Sequence, residues 1–340
     1  MSALCIHFGT CGGCATQDMP REGYRALKRD MVVRALTRHG VEAEVDEIFT
    51  IAPGTRRRCV FKIKDGKVGF HARASHDIVD MYQCRVLTPP LFDLAGHLRD
   101  IADEIRTAEV HATEADNGLD LMFRWGRNAS PSLIAKLASW AARSGVVRIT
   151  AGNELLIEIM APVWGDVRLP PGAFLQPTRE GETFLQHRVA ACAANAKSAV
   201  DLFAGCGTFA LALASRMKVH AVEHDAAQLS ALAQGARAAA GLKPVTVEKR
   251  DLFKRQLSAR ELAVYDAAVL DPPRAGAAAQ VAELGKSGLR RIAYVSCNAD
   301  SFARDARSLL GQGYKIGIVR PVDQFLWSEH IELVASFTRD

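Results

Sequence analysis

The sequence predicts an α/β protein of two domains. A C-terminal Rossmann-like domain with a doubly wound sheet follows an N-terminal α+β domain that carries a cysteine cluster. Three observations lead there. Beyond Leu169-Pro170-Pro171-Gly172 the chain alternates strand and helix at the spacing of parallel crossovers. Before that break it reads as paired strands with scattered helices. Three cysteines, Cys5, Cys11 and Cys14, fall together near the start. The division expected is 1–170 and 171–340.

Composition sets the class. The 340 residues are 49% hydrophobic and 24% charged, as in ordinary soluble globular proteins. No apolar run approaches the roughly 18 residues that cross a bilayer. The opening Met1-Ser-Ala-Leu-Cys5 has no basic-then-apolar pattern of a signal peptide, so a cytoplasmic protein is expected. In that compartment eight cysteines read as metal ligands, nucleophiles or core residues rather than disulfides. The net charge of +5 permits a nucleic-acid partner without requiring one, and Arg56, Arg57, Arg58, Lys62, Lys64 and Lys67 are clustered.

In the N-terminal half, Gly12 and Gly13 let the backbone fold tightly so that Cys11 and Cys14 aim at one point. A closed zinc site or a four-cysteine iron-sulfur cluster needs a fourth thiolate. Cys84, just before Pro89-Pro90, is the first candidate and Cys59, inside an alternating strand pattern, the competitor. Residues 21–40 carry helical periodicity closed by Gly40. Residues 61–70 form a hairpin around Asp65-Gly66. Ser130-Pro131 starts a helix, and residues 146–150 and 155–159 form a further strand pair.

In the C-terminal half, five strands are expected at 199–203, 219–223, 245–248, 267–271 and 292–295. Helices are expected over 208–216 and 226–240. The first strand runs into Asp201-Leu-Phe203-Ala-Gly205-Cys-Gly207, where Gly205 and Gly207 let the backbone approach a ligand. With Glu223 about twenty residues on, this spacing fits a nicotinamide enzyme and an S-adenosylmethionine enzyme equally. The fourth strand favours the second. It ends in Asp271-Pro272-Pro273-Arg274, a stiff loop whose prolines carry no amide donors and which can hold a planar ring, with Asp271 near the cofactor and Arg274 near the base. The fifth strand delivers Cys297 to the same carboxyl edge, followed by Asn298 and a helix.

Five motifs in order, Phe174-Leu-Gln176-Pro-Thr178, Asp201 to Gly207, Asp271 to Arg274, Ser296-Cys297-Asn298 with Ala303-Arg-Asp305, and His330-Ile-Glu332, resemble the RNA (uracil-5)-methyltransferase family. Cys5, Cys11, Cys14 and Cys84 resemble the cluster ligands of its ribosomal RNA branch. The resemblance implies a class I methyltransferase domain, S-adenosylmethionine as methyl donor, a [4Fe-4S] cluster on those four cysteines, and RNA as partner. The chain begins at the cysteine motif, without room for the TRAM domain of some relatives. That points to 23S rRNA, with a hairpin-loop uridine as target and a monomeric enzyme. The alternatives are a tRNA (uracil-5)-methyltransferase and a non-catalytic iron-sulfur RNA-binding protein.

Cys297 is the expected nucleophile both from its place and from the resemblance. The family implies Glu332 as the base, with Glu329 and His330 as local rivals. It also implies S-adenosylmethionine contacts from Gln176, Phe203, Glu223 and Asp271. Asp251 is a candidate contact to the adenine edge, and Arg274 to the uracil edge or its phosphate. Cys192 and Cys206 read as packing residues.

Overall fold

The computed structural model describes residues 4–126 and 128–339; the opening Met1-Ser-Ala read for a leader lies outside the described residues. In chain order, α1 (Arg21–Arg38) and β1 (Phe49–Thr50) come first, then β2 (Arg58–Lys64), β3 (Lys67–His71) and β4 (Ile78–Asp80). Next are α2 (Pro89–Arg99), α3 (Ala102–Ile105), β5 (Thr107–Glu114), β6 (Leu119–Arg124), α4 (Pro131–Ala141), β7 (Val146–Ala151) and β8 (Glu154–Glu158). After them come β9 (Val163–Trp164), β10 (Val167–Arg168), α5 (Arg179–Cys192), β11 (Ser198–Leu202), α6 (Ala210–Ala214) and β12 (Lys218–Glu223). The remainder is α7 (Ala226–Ala238), β13 (Val245–Lys249), α8 (Ala259–Leu262), β14 (Ala267–Leu270), α9 (Ala278–Lys286), β15 (Arg291–Ser296), α10 (Ala299–Gly311), β16 (Lys315–Ile316), β17 (Arg320–Asp323) and β18 (Glu332–Thr338).

The chain divides into two compact units, but not by one cut at 170/171. Unit one is Met1–Met19, Ala52–Arg179 and Leu326–Glu329; unit two is Pro20–Ile51, Glu180–Phe325 and His330–Asp340. The expected boundary is therefore corrected at both ends, and packing explains why. The apolar stripe of α1 (Val32, Ala35, Leu36) shares one core with Phe302, Ala306 and Leu309 of α10. β1 pairs in parallel with β17, Phe49 opposite Val322. Conversely, the Trp327 carbonyl accepts from the Ala15 amide at 2.7 Å, which draws the 326–329 turn to unit one.

Unit one is a seven-stranded sheet in the order β4-β3-β2-β5-β6-β7-β8. Its neighbours are antiparallel except β6 and β7. The β2–β3 hairpin turns on Asp65 and Gly66, both at positive φ (52° and 73°), the two-residue turn that the Asp-Gly pair favours. Phe61, Ile63, Val110, Leu121 and Phe123 pack against Leu91, Leu94 and Leu98 of α2. Ser130 caps α4 by accepting from the Leu133 amide at 3.3 Å.

Unit two carries a nine-stranded sheet, main path β1-β17-β18-β15-β14-β11-β12-β13. The five expected strands are parallel neighbours, β13-β12-β11-β14-β15. Strand order reverses between β11 and β14, the switch point at which open α/β sheets bind ligands. β18 forms on the apolar run after Glu332 and lies antiparallel between β15 and β17. The helix after β11 is shorter than the expected 208–216, because residues 203–209 are taken up by the turn that precedes it.

Candidate active site

The turn after β11 is tightly built. The amides of Phe203 and Ala204 both donate to the Val222 carbonyl, at 3.0 and 3.1 Å. Phe203, Gly205 and Gly207 all have positive φ (66°, 55° and 100°). A Cβ on Gly207 would sit 2.3 Å from Leu232 Cδ1, so α7 packs too closely here for any side chain. Glu223, at the end of β12, organises the turn. Its Oε2 accepts from the Gly205 amide at 3.0 Å, and its Oε1 accepts from His224 and Asp225 at 2.7 and 2.8 Å. Asp251 follows β13 and accepts from the Phe253 amide at 3.0 Å. Phe253 is 52% exposed, with its ring 5.4 Å from that of Phe203. Sequence reading passed over Phe253, because one aromatic in a loop carries no pattern; its company became visible only on folding.

Four of the expected reactive groups meet at the carboxyl ends of β14 and β15. Burial, then the charges of Glu332 and Asp271, push the Cys297 thiol up to about 12, while Arg274 works in the opposite direction. Those influences put all three side chains within electrostatic reach of the sulfur. Glu332 opens β18, one residue before Leu333, which pairs with Ser296. It is 3% exposed, and burial with the Asp271 charge raises its carboxyl well above the usual range. Its rival Glu329 is 76% exposed in its side chain. Beneath them Asp201 is fully buried, and neither of its oxygens has a hydrogen bond of good geometry. Burial and then Asp271 raise it too, with the nearby Ala210 amide offsetting part of the effect.

The loops are fastened to one another. Asn298 caps α10, its Oδ1 accepting from Asp300 and Ser301 at 2.9 and 3.3 Å, and its Nδ2 donates to the Arg274 carbonyl at 3.2 Å. Buried Asp305 accepts from the Ala277 amide (2.8 Å) and the Tyr294 hydroxyl (2.6 Å) with one oxygen, Oδ2. It thereby pins the loop that Asp271-Pro-Pro-Arg begins, which gives Asp305 a physical reason that the sequence did not supply.

In unit one, Cys5, Cys11, Cys14 and Cys84 line one cavity of about 270 Å³, together with Cys59 and Arg56. Burial and then the charge of Cys84 push the Cys14 thiol up to about 12, with smaller contributions from Cys11 and Cys5. Cys84 is also raised, by burial, against opposing amides of Val86 and Leu87. The Gly13 amide donates to Cys11 Sγ at 3.4 Å. Among the described residues no group of three or more His, Cys, Asp or Glu side chains is arranged to hold a metal ion. Cys59, the competitor for the fourth ligand, lies on β2 as its strand pattern implies and also lines this cavity. Gln176 also belongs to unit one; it is 2% exposed, and its carbonyl accepts from Arg57 Nε at 2.9 Å. Cys206 is buried, as a packing residue should be, and Cys192 half-buried.

Comparison with known proteins shows the family. The family model for tRNA (uracil-5-)-methyltransferases matches residues 163–339. The chain belongs to the RNA (uracil-5-)-methyltransferase family. It is an RNA methyltransferase that uses S-adenosylmethionine. An RNA methyltransferase of Mesorhizobium japonicum is 41% identical over 97% of this chain and 83% of its own length. The 23S rRNA (uracil(1939)-C(5))-methyltransferase of Chromohalobacter salexigens is 31% identical over 99% of this chain and 76% of its own. The solved Pyrococcus abyssi tRNA (uracil-54, C5)-methyltransferase, in complex with S-adenosyl-L-homocysteine, shares the fold with a TM-score of 0.73. It covers 96% of this chain and 86% of its own at 20% identity. No helix among the described residues is long and apolar enough to cross a membrane.

Proposed function

We propose that this methyltransferase modifies carbon 5 of a uridine in 23S rRNA through a covalent adduct between Cys297 and carbon 6 of the base. The observation that carries the reading is the convergence of Cys297, Asp271, Arg274 and Glu332 at one sheet edge. S-adenosylmethionine supplies an electrophilic methyl group when bound. The glycine turn and the surrounding carboxylates suit an adenosyl group that bears a positive sulfonium. Phe203, Gly205, Gly207, Glu223, Asp251 and Asp271 are the residues of unit two that would hold it.

Carbon 5 of uracil is a weak nucleophile. Cys297 Sγ adds to carbon 6, and the electron pair released through the ring makes carbon 5 nucleophilic toward the methyl group. Arg274 binds the uracil edge. Glu332 then removes the proton from carbon 5, the carbon 5–carbon 6 double bond re-forms, and the thiolate leaves. A carboxylate with a raised pKa accepts that proton more readily than a surface carboxylate would. A loop uridine reaches Cys297 at little unpairing cost. The test is methyl transfer from labelled donor to 23S rRNA and to tRNA, with the modified nucleotide mapped. Cys297→Ala should abolish transfer while S-adenosylmethionine binding stays within a few fold; methylation by this variant would overturn the covalent route. Label appearing only in tRNA would replace the ribosomal substrate.

The cavity of unit one is read as the seat of a [4Fe-4S] cluster held by Cys5, Cys11, Cys14 and Cys84. The donor chemistry fits, because four soft thiols face one space and backbone amides point at two of the sulfurs. Methyl transfer moves no net electrons, so the cluster's part is to hold this segment in shape. Protein purified without oxygen should be brown, with about four irons per chain. Cys84→Ser should lose the colour and Cys59→Ser keep it. A colourless protein, or the reverse pattern, would overturn the assignment.

A further inference from the structure

Tyr82 lies two residues before Cys84 and is 63% exposed. A surface tyrosine this open is ordinarily free to move; this one is held from three sides. Its amide donates to His7 Nε2 at 3.0 Å. The Asp80 carboxylate lies beside its phenol. The Arg99 guanidinium lies over its ring, 4.3 Å from the centroid. Arg99 is itself fixed, since its Nε and Nη2 donate to Asp80 Oδ1 at 3.0 and 2.9 Å and Nη2 also reaches the Met81 carbonyl. One face of the ring is therefore backed by a cation, and the exposure belongs to the other. Ile6, 71% exposed, is tied alongside by its amide to Gln83 Oε1 at 2.8 Å.

A rigid, exposed aromatic ring with a guanidinium behind it has no partner in its own core. It fits the flat face of an unpaired base: stacking is indifferent to base identity, and the cation adds attraction for a polyanion. We propose that Tyr82, backed by Arg99, is a stacking platform for an unpaired base of the RNA substrate. The proposal rests on the RNA-methyltransferase assignment and adds a recognition point on unit one.

Binding of a fluorescein-labelled single-stranded oligouridine tests it. Tyr82→Ala should weaken binding about ten-fold, and Tyr82→Phe, which keeps the ring, should stay within about two-fold of wild type. Both variants should keep the wild-type slope of log Kd against log salt, because no phosphate contact is lost. S-adenosylmethionine binding and thermal stability should not change. In Tyr82→Trp the added indole emission should be quenched by the RNA. Wild-type affinity in Tyr82→Ala, a shallower salt slope, or an unquenched indole would overturn the platform and leave the enzyme's assignment standing. Wild-type protein that binds no RNA would overturn both.

Discussion

Charge around a single sulfur makes the nucleophile testable without substrate. Burial and then two carboxylates raise the Cys297 thiol, and one guanidinium lowers it. Thiolate is the reactive form, so alkylation at Cys297 should be slow at neutral pH and climb as pH rises toward about 12. At a pH high enough to ionise Glu332, Glu332→Gln removes a negative charge, lowers that pKa and should speed alkylation by about three- to ten-fold; Arg274→Gln should slow it by a similar factor. Peptide mapping of Cys297 after timed iodoacetamide treatment measures both, and opposite signs would mean that the charges do not face the sulfur. With RNA and donor present, Glu332→Gln should also accumulate a protein–RNA adduct stable on denaturing gels. Cys297 was legible in the sequence, because a strand delivering a cysteine into a helix turn places it at the sheet edge. The apolar run after Glu332 points to partial burial but not to its extent. That extent depends on β18 having a strand on each side, a non-local fact that no window of sequence contains.

Among the elements, α1 does more than cover the sheet. Lys28 is 1% exposed, and its ammonium meets Asp323 Oδ1 at 3.0 Å and donates to the carbonyls of Phe325 and His330. Tyr24, one turn earlier, hydrogen-bonds the same aspartate. These acceptors bracket the connection from β17 to β18, the last of them two residues before Glu332. Lys28→Met strands a buried carboxylate and should cost about 3–5 kcal/mol in urea unfolding, while Lys28→Met with Asp323→Asn should recover most of the loss. Equal stability of the single variant and wild type would show that the pair is solvated. The periodicity of residues 21–40 revealed this helix, but it gave no sign that a lysine would be its most buried polar residue. Helices α2, α5 and α9 are hard to read from the sequence for a related reason. Apolar stripes interrupted by Gly96, Gly181 or Gly285 show weak periodicity until a sheet face is there to receive them.

For the molecule as a whole, the rhythm of strand and helix revealed the doubly wound sheet, and a composition break suggested a simple boundary. The boundary failed because domain membership follows packing, and α1 with β1 packs far from its sequence neighbours. A fragment of residues 171–340 therefore lacks the cover over α10 and the partner of β17. It should be insoluble or molten, whereas the same fragment preceded by residues 20–51 should fold and bind S-adenosylmethionine. Near-ultraviolet circular dichroism and calorimetric titration of the two fragments decide it, and a well-folded short fragment would refute the packing argument.

The place of β18 has a consequence for how the protein is made. During synthesis β15 and β17 emerge before the strand that joins them. Until residues 332–338 leave the ribosome, each of those strands presents an unpaired edge toward the gap. Such edges recruit any passing strand. The nascent chain thus spends the interval between Asp323 and Glu332 at its most adhesive. A pause there would favour aggregation, and steady elongation or a holding chaperone would favour a closed sheet.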